Sequence, residues 1–187
     1  MAVDIFLVIR SNPQNPQLSD DPTTDSYFSS TFPGAVVFEV SDFDFDVQNA
    51  ISIGSATGGA GAGKATLGQL VIHRTVDKLS PALLSVSATG EHFVAIQLYL
   101  RHPNQAAGGA VPAPFLAYEF QTVSISKIEW SAGAGADLAE EVTFVYGALA
   151  VAFQAANPDG TLAGPPVKSA WSQIQNSSNV QDSIILN

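Results

Sequence analysis

The 187-residue chain is 46% hydrophobic and 13% charged, a composition that suits one domain with a substantial core. Seventeen acidic residues against seven basic ones give a net charge of −10, which argues against nucleic acid and anionic membranes as partners. The chain has no cysteine, so a disulfide framework is excluded, and polar residues break its apolar runs well short of a membrane span.

The first residues predict a strand and not an export signal. Residues 3–10 are apolar and alternate loosely, which indicates a first strand. Asp4 stands where a Sec signal peptide would carry lysines, and the apolar run is too short for a signal core. We therefore expect a protein that is made in the cytoplasm and carries no Sec signal peptide.

Residues 11–34 are rich in Ser, Pro, Asn, Asp and Thr, a composition that predicts a loop. A loop of this length is unusual in a compact domain. We expect it to pack on a surface or to belong to an interface.

The next strand, over residues 40–47, has one acidic and one apolar face. The acidic face carries Asp42, Asp44 and Asp46. An EF-type calcium loop counted from Asp42 would need Gly and Glu where the chain has Val47 and Ile53. We therefore predict a solvated acidic surface and no metal site.

Residues 58–64 read GGAGAGK and are one residue short of a phosphate-binding loop. Ala65 stands where a hydroxyl would hold magnesium, and Thr66 comes one place too late. Such a loop also needs a helix after its lysine, whereas the β-branched residues that follow Lys64 predict a strand. We interpret the segment as a loop between two strands, which leaves nucleotide binding as the weaker alternative.

A short helix is predicted over residues 80–89. Ser80 suits the N-cap, Pro81 suits the first helical position, and Gly90 suits a left-handed stop. The residues expected to face the sheet are Leu83, Leu84 and Val86.

Three further strand regions follow, at residues 93–101, 115–130 and 138–154. In the first, one face is predicted to hold Val94, Ile96, Leu98 and Leu100, and the other Gln97, Tyr99 and Arg101. The alternation of the second slips near residues 122–124, which suggests a bulge. The third is apolar on both faces, which indicates a strand covered on both sides, partly by another subunit; a buried helix is the alternative.

These elements predict a mainly β protein. We expect an antiparallel β-barrel or a sandwich of two sheets, with one short α-helix at about residues 80–89 and long Gly-rich loops. A turn is predicted at residues 157–160, followed by a polar tail whose apolar residues are Val167, Trp171, Ile174 and the closing Ile184, Ile185 and Leu186.

The residues offer no pattern that predicts catalysis. The three histidines do not form a metal-binding spacing, and the chain lacks a G-x-S-x-G elbow and a cysteine nucleophile. Glu140 and Glu141 are neighbours on a predicted strand, so they point to opposite faces and cannot form an acid/base pair. We expect a protein that is not an enzyme, with no catalytic residue, no cofactor and no metal.

Four segments, in their order along the chain, resemble the Hcp family. They are MAVDIFL at 1–7, SIGSATGGAGAGK at 52–64, DKLSPALL at 77–84 and TGEH at 89–92. The pattern of Asp159, Gly160, Val167 and Trp171 is similar to the end of the family's sequences. Hcp, the haemolysin-coregulated protein, is the inner-tube subunit of type VI secretion systems. The chain differs from the family in the longer segment 11–34 and in its final apolar residues.

The resemblance implies one tube domain over residues 1–187, with residues 11–34 as an insertion and 157–187 as a C-terminal turn and tail. It implies a two-sheet barrel with a helix, hexameric rings, and rings stacked into a hollow tube. The implied partners are sheath, spike and baseplate proteins and effector cargo. The protein would assemble in the cytoplasm and then be secreted. The alternative is a tube subunit of a related contractile injection system or phage-like tail.

The glycine-rich loop is the expected contact between rings. The interface residues predicted there are Ile53, Thr57, Gly58, Gly61, Gly63 and Lys64. Bulky replacements of the glycines at 58, 61 and 63 are expected to impair ring stacking more than folding. The acidic face at residues 42–46 is expected either in the lumen or on the outside of the tube.

Overall fold

The computed structural model describes residues 3–10, 18, 25–49, 52–53, 60–61, 64–103, 112–134, 137–157 and 162–186. Within these ranges the chain forms thirteen strands and two α-helices. The helices are α1 (Ser26–Thr31) and α2 (Ser80–Thr89). The strands are β1 (Asp4–Ile9), β2 (Val36–Glu39), β3 (Asp42–Asp44), β4 (Val47–Asn49), β5 (Ser52–Ile53), β6 (Ala60–Gly61), β7 (Ala65–Leu67), β8 (Leu70–Thr75), β9 (His92–Arg101), β10 (Leu116–Ser131), β11 (Ala139–Val145), β12 (Ala148–Ala156) and β13 (Leu162–Ser172). Neither of these helices is long and apolar enough to cross a membrane.

Seven strands follow one another in the order β2-β1-β9-β10-β11-β8-β3, and every pairing is antiparallel. The first and last strands of this path are consecutive in the chain. At their junction Val40 N donates to Ile5 O (2.9 Å), while Ser41 N donates to His73 O (2.8 Å). One segment therefore pairs with both ends of the path, and the sheet closes into a barrel.

The long strand β10 joins the barrel to a second structure. Its last residues pair with β11, whereas its first residues pair with β9 on one edge and β12 on the other. β13 then pairs with β12, so β12 and β13 extend from the barrel as a two-stranded wing. The predicted class, mainly antiparallel β, is confirmed.

Strands β10 and β12 exchange their inward and outward faces at the same level. On β10 the core residues change from Phe120 to Val123 across Thr122, which has a left-handed φ of 55°. On the partner strands the core residues change from Phe144 and Tyr146 to Leu149 at the junction of β11 and β12. The irregularity predicted at residues 122–124 is present as this face change, but the register shift of the ladder lies further along, between Ile125 and Lys127.

The barrel interior holds the larger of two apolar clusters. Both halves of the barrel contribute fully buried side chains, among them Leu7, Leu70, Ile96, Phe120, Val142 and Phe144. Helix α2 adds Leu83 and Val86. Burial of this apolar surface is the main stabilising term, at about 25 cal/mol per Å².

A second apolar cluster lies on the outer face of β2, β1, β9, β10 and β12. It contains Phe6, Val8, Val37, Tyr99, Ala117, Ala150 and Ala152. α1 covers it with Phe28 and Phe32, and the end of the chain covers it with Ile184 and Leu186. The strand predicted to need cover from another subunit is thus covered at Ala150 and Ala152 by its own chain.

The prediction of a loop over residues 11–34 is wrong at its C-terminal end, where α1 forms a second helix. Asp25 caps this helix, since its carboxylate accepts from Tyr27 N (3.0 Å) and Phe28 N (3.3 Å). Phe28 and Phe32 lie one turn apart and both face the sheet. A six-residue helix has no stability of its own, so this packing holds it in place and composition could not reveal it.

Helix α2 has the predicted bounds and the predicted stop, because Gly90 is left-handed with a φ of 70°. The predicted N-cap is wrong. Leu79 occupies that position, Asp77 Oδ1 accepts from Leu79 N (2.8 Å), and Ser80 Oγ accepts from Asp77 N (3.3 Å). Leu84 was expected to face the sheet but is 49% exposed, and Leu79 is buried in its place.

The predicted faces of β9 need one correction. Val94 is 71% exposed, and Phe93 is buried instead, because this strand also changes face near its start. The face of Gln97, Tyr99 and Arg101 is also buried, since α1 and the end of the chain lie on it.

Glu140 and Glu141 point to opposite faces of β11, as predicted. Glu140 is 1% exposed, and its Oε2 lies 3.3 Å from Arg74 Nη1. The other terminal nitrogen of Arg74, Nη2, pairs with Asp77. Trp130 Nε1 donates to Glu140 Oε1 (2.7 Å). The Arg74 guanidinium lies 4.4 Å from the centre of the Phe38 ring. This buried pair ties the β10–β11 hairpin to β8 and to the start of α2.

Glu140→Leu removes one of the two carboxylates that pair with the buried Arg74 guanidinium and leaves Asp77 as the other. We expect a loss of about 1–3 kcal/mol in the free energy of unfolding, measured by urea denaturation. The matched control is Glu129→Leu on the exposed end of the neighbouring strand, which should change stability by less than about 0.5 kcal/mol. Equal effects of the two substitutions would contradict this account of the pair.

Candidate assembly surfaces

A two-stranded arm is the first candidate surface. β4 pairs with β7 from Val47↔Leu67 to Asn49↔Ala65, and β5 pairs with β6 at Ser52↔Gly61. The described residues between 47 and 67 thus form two short antiparallel pairs that are not part of the barrel sheet, and we call them the arm. A ribbon of two strands is marginally stable alone and presents unpaired edges. These properties suit a segment that is completed by contact with another chain.

Three of the six predicted interface residues lie on this arm. Ile53 lies in β5 and Gly61 in β6, and Lys64 is exposed just before β7. The remaining three predicted residues, Thr57, Gly58 and Gly63, lie outside the described residues. Because a strand follows Lys64, the helix that a phosphate-binding loop requires is replaced by β7.

The base of the arm is fixed by a close approach between Gly68 and Asp46. Gly68 N donates to Asp46 O (2.8 Å), and a Cβ at position 68 would meet Asp46 Oδ1 at 1.9 Å and Asp46 O at 3.1 Å. On the other side, Leu67 N donates to Gln173 Oε1 (2.6 Å). A side chain at position 68 would therefore require Asp46 to move, and with it the base of the arm.

The acidic face lies across four strands of the barrel exterior. Asp42 pairs in register with His73, His73 with Glu141, and Glu141 with Glu129. His73 Nδ1 lies 3.8 Å from Glu141 Oε2, and Lys127 pairs with both glutamates. Asp42, Asp44 and Asp46 are all exposed, as the sequence predicts. Across the residues that the structure describes, no group of His, Asp and Glu is placed to hold a metal ion.

An apolar patch lies on the wing. Phe153 is 48% exposed and its cross-strand partner Val167 is 75% exposed. The Phe115 ring lies edge-on to Phe153 at 6.4 Å. Leu149, on the same face of β12, packs into the barrel core. The wing patch, Phe115, Phe153 and Val167, therefore continues the inner face of the barrel beyond the barrel itself.

A second apolar patch lies at the face change of β10 and β12. The bend patch consists of Val94, Val145 and Ile174, which are exposed by 71%, 40% and 70%. The side chain of Ile174 lies over Gly147, where a Cβ would meet its Cδ1 at 2.3 Å. Val145 is next to the core residue Phe144, so it points away from the barrel interior. The wing and bend patches thus lie on opposite faces of the same line of strands.

Sequence reasoning did not identify either patch as a site. The available signal was the isolated apolar residues Val167 and Ile174 in an otherwise polar tail. Their exposure depends on which face of the wing the chain itself covers, and only the fold decides that.

A closed barrel with a two-stranded arm and two exposed apolar patches is an arrangement suited to assembly with other chains. The family "Type VI secretion system effector, Hcp" matches residues 35–153. The chain belongs to the Hcp family and is a type VI secretion tube subunit. Strand β1, helix α1, all of β13 and the end of the chain lie outside the matched residues.

Curated and solved relatives agree with this family. Protein hcp1 of Pseudomonas aeruginosa is 32% identical over 114 residues, which cover 60% of this chain and 68% of that protein. The structure of a type six secretion system protein superposes with a TM-score of 0.74 at 23% identity, over 94% of this chain and 99% of the other. Hcp1 from Salmonella typhimurium superposes with a TM-score of 0.65 at 19% identity, over 94% and 98%. At these identities the two structures show the shared fold.

Gly68→Val tests the base of the arm. The added side chain meets Asp46 and displaces the arm, at a cost of about 1–3 kcal/mol, while the barrel core is untouched. We expect a folded barrel by circular dichroism and a loss of tubes under the electron microscope. Thr66→Val, an exposed position on the same arm, is the matched control and should assemble normally. Unchanged tube formation by Gly68→Val would contradict the role of the arm.

Tyr146 gives the fold a dependence on alkaline pH. Burial, reinforced by the Asp46 carboxylate, raises the pKa of Tyr146 to about 12 from its ordinary 10.0. The folded state keeps this proton while the unfolded state releases it, so the unfolded state binds fewer protons between these pH values. Stability should therefore be fully present below about pH 10 and fall as the pH rises through the folded value.

The measurement is the urea midpoint from pH 9 to pH 12, with tyrosinate absorbance followed in parallel. Burial also raises the pKa of Tyr99, so Tyr146→Phe should lose part of the pH dependence and not all of it. If the urea midpoint fell equally with pH in the unsubstituted chain and in Tyr146→Phe, Tyr146 would not contribute to the pH dependence of stability.

Proposed function

We propose that this tube subunit forms a six-membered ring in which the wing patch of one copy contacts the bend patch of the next. The observation that supports the proposal is the position of two different apolar patches on opposite faces of one strand line. When two copies join through unlike patches, one copy keeps a free wing patch and the other keeps a free bend patch, so a further copy can add at either end. Such contacts close into a ring when the rotation between copies allows it.

A two-fold dimer explains these surfaces less well. If two wing patches met, both bend patches would stay exposed, and the reverse holds for a bend-to-bend contact. Exposed apolar side chains in contiguous groups mark interaction sites. The head-to-tail arrangement covers both patches on every copy of the ring.

We infer that the arms join one ring to the next and so build a hollow tube. The predicted residues Ile53, Gly61 and Lys64 lie on the arm, and its unpaired edges suit strand pairing with a neighbouring copy. The tube would assemble in the cytoplasm, work with sheath, spike and baseplate proteins, and be secreted with its effector cargo. Residues 1–187 would form one tube domain.

A structural role, and not an enzymatic one, is part of this proposal. Of the carboxylates that the structure describes, the two most buried already have structural partners. Glu140 binds Arg74, and Glu119 accepts from Gln97 Nε2 (2.5 Å) and from Ser183 N (3.0 Å). Groups committed in this way are poorly placed for proton transfer to a substrate.

Charged substitutions in the two patches test the ring. The wing variant carries Phe153→Asp and Val167→Asp, and the bend variant carries Val94→Asp and Ile174→Asp. A buried, unpaired carboxylate opposes association, so we expect each variant to weaken the contact at least about 30-fold and to be monomeric by light scattering. Leu84→Asp, an exposed apolar position on α2 outside both patches, is the matched control and should form rings.

Mixing the two variants separates the possible arrangements. Each variant keeps one intact patch, and the intact wing patch of one fits the intact bend patch of the other. The proposal therefore expects heterodimers that cannot grow into rings. Homodimers of either variant alone would support a like-to-like contact and would overturn the head-to-tail arrangement.

A further inference from the structure

The end of the chain, residues 181–186, lies as an extended strap on the outer face of the sheet. Its aliphatic side chains Ile184 and Leu186 are 6% and 5% exposed, and they pack against Phe6, Val8 and Tyr99. We call these residues the tail strap and the surface beneath it the tail groove. The groove lies between α1 and the strands that carry the second apolar cluster.

Polar side chains of the groove hold the main chain of the strap at three of its residues. Gln121 Nε2 donates to Gln181 O (2.7 Å), and Arg10 Nη2 donates to Ser183 O (3.0 Å). Lys168 Nζ donates to Ile184 O (3.2 Å). These three contacts fix an extended backbone without depending on the side chains of the strap.

Glu119 and Tyr99 hold the donors of the strap. The buried carboxylate of Glu119 accepts from Ser183 N (3.0 Å) and Ser183 Oγ (2.6 Å), and the Tyr99 hydroxyl accepts from Ile185 N (3.4 Å). Gln97 and Gln121 donate to the same carboxylate and orient it. The groove therefore satisfies both donors and acceptors of an extended segment and selects a hydroxyl at position 183.

The attachment differs from that of every strand in the barrel. In the part of the chain that the structure describes, no backbone-to-backbone hydrogen bond joins residues 181–186 to the body. Side chains alone hold the strap, so it can leave without opening a sheet ladder. The groove left behind is built from β1, β9, β10, β12 and α1, all of which have other contacts.

We propose that the tail groove is a peptide-binding site whose resident ligand is the chain's own tail strap and whose external ligand is the tail of a second copy. The ligand class is an extended segment in which a hydroxyl residue is followed directly by an aliphatic residue. A second aliphatic residue stands two positions after the first. Every copy carries such a segment, and exchange of identical elements between copies preserves all contacts. The strap thus provides an interaction surface distinct from the arm and from the wing and bend patches.

The test uses the full chain with Ile184→Asp and Leu186→Asp, which loosens the strap but keeps the groove. The probe is a fluorescein-labelled peptide with the sequence of residues 179–187, which stands for the tail of a second copy. We expect the peptide to bind the loosened chain at least ten-fold more tightly than it binds the unsubstituted chain, whose groove is filled. A peptide with the same two aspartates is the control and should bind at least ten-fold more weakly.

A folded loosened chain that does not bind the peptide would overturn the proposal. If the loosened chain fails to fold, hydrogen exchange on the unsubstituted chain tests the proposal instead. The amides of Ser183 and Ile185 should then exchange at least ten-fold faster than those of β9, and added unlabelled peptide should compete with their reclosing. If they exchange only together with β9, the strap is a permanent part of the core and the proposal fails.

Discussion

The simultaneous change of face at Thr122 on β10 and at the two residues between β11 and β12 is the constraint on which the structure depends. In this long hairpin β10 is one side, and β11 and β12 together are the other. Because both sides change face at the same level, the residues stay paired in register while the apolar side chains move to the opposite face of the strands. One half of the hairpin then closes the barrel, and the other half leaves it and carries the wing. The wing patch exists because the apolar face of β12 continues after the barrel interior ends.

The same geometry creates a second surface that must be covered. Once β1, β9 and β12 turn apolar side chains outward, the chain supplies its own cover with α1 and the tail strap. The buried carboxylate of Glu119 and the hydroxyl of Tyr99 accept hydrogen bonds from backbone N–H groups of the strap, in place of the carbonyls of a neighbouring strand. The fold therefore separates two kinds of apolar surface: one covered within the chain, and one left exposed.

Period-two alternation predicted the strands well because a pleated strand places successive side chains on opposite faces wherever one face is buried. The bounds of α2 followed from Pro81 and the left-handed Gly90, which are local requirements. Errors occurred where a distant contact decided the outcome. α1 forms because Phe28 and Phe32 pack on a sheet, and Val94 is exposed because its strand changes face, and neither cause is local in sequence.

The candidate site divides in the same way. The sequence by itself determined the mainly β class, the strand after Lys64 and the solvated aspartates, since each depends on residues a few positions apart. Only the tertiary structure decided which apolar residues stay uncovered and what covers the others. Val167 and Ile184 are equally aliphatic members of one tail, yet the first is exposed and the second is buried. The two residues differ in where the chain places them on the sheet. That position follows from long-range packing and cannot be read from the local sequence pattern.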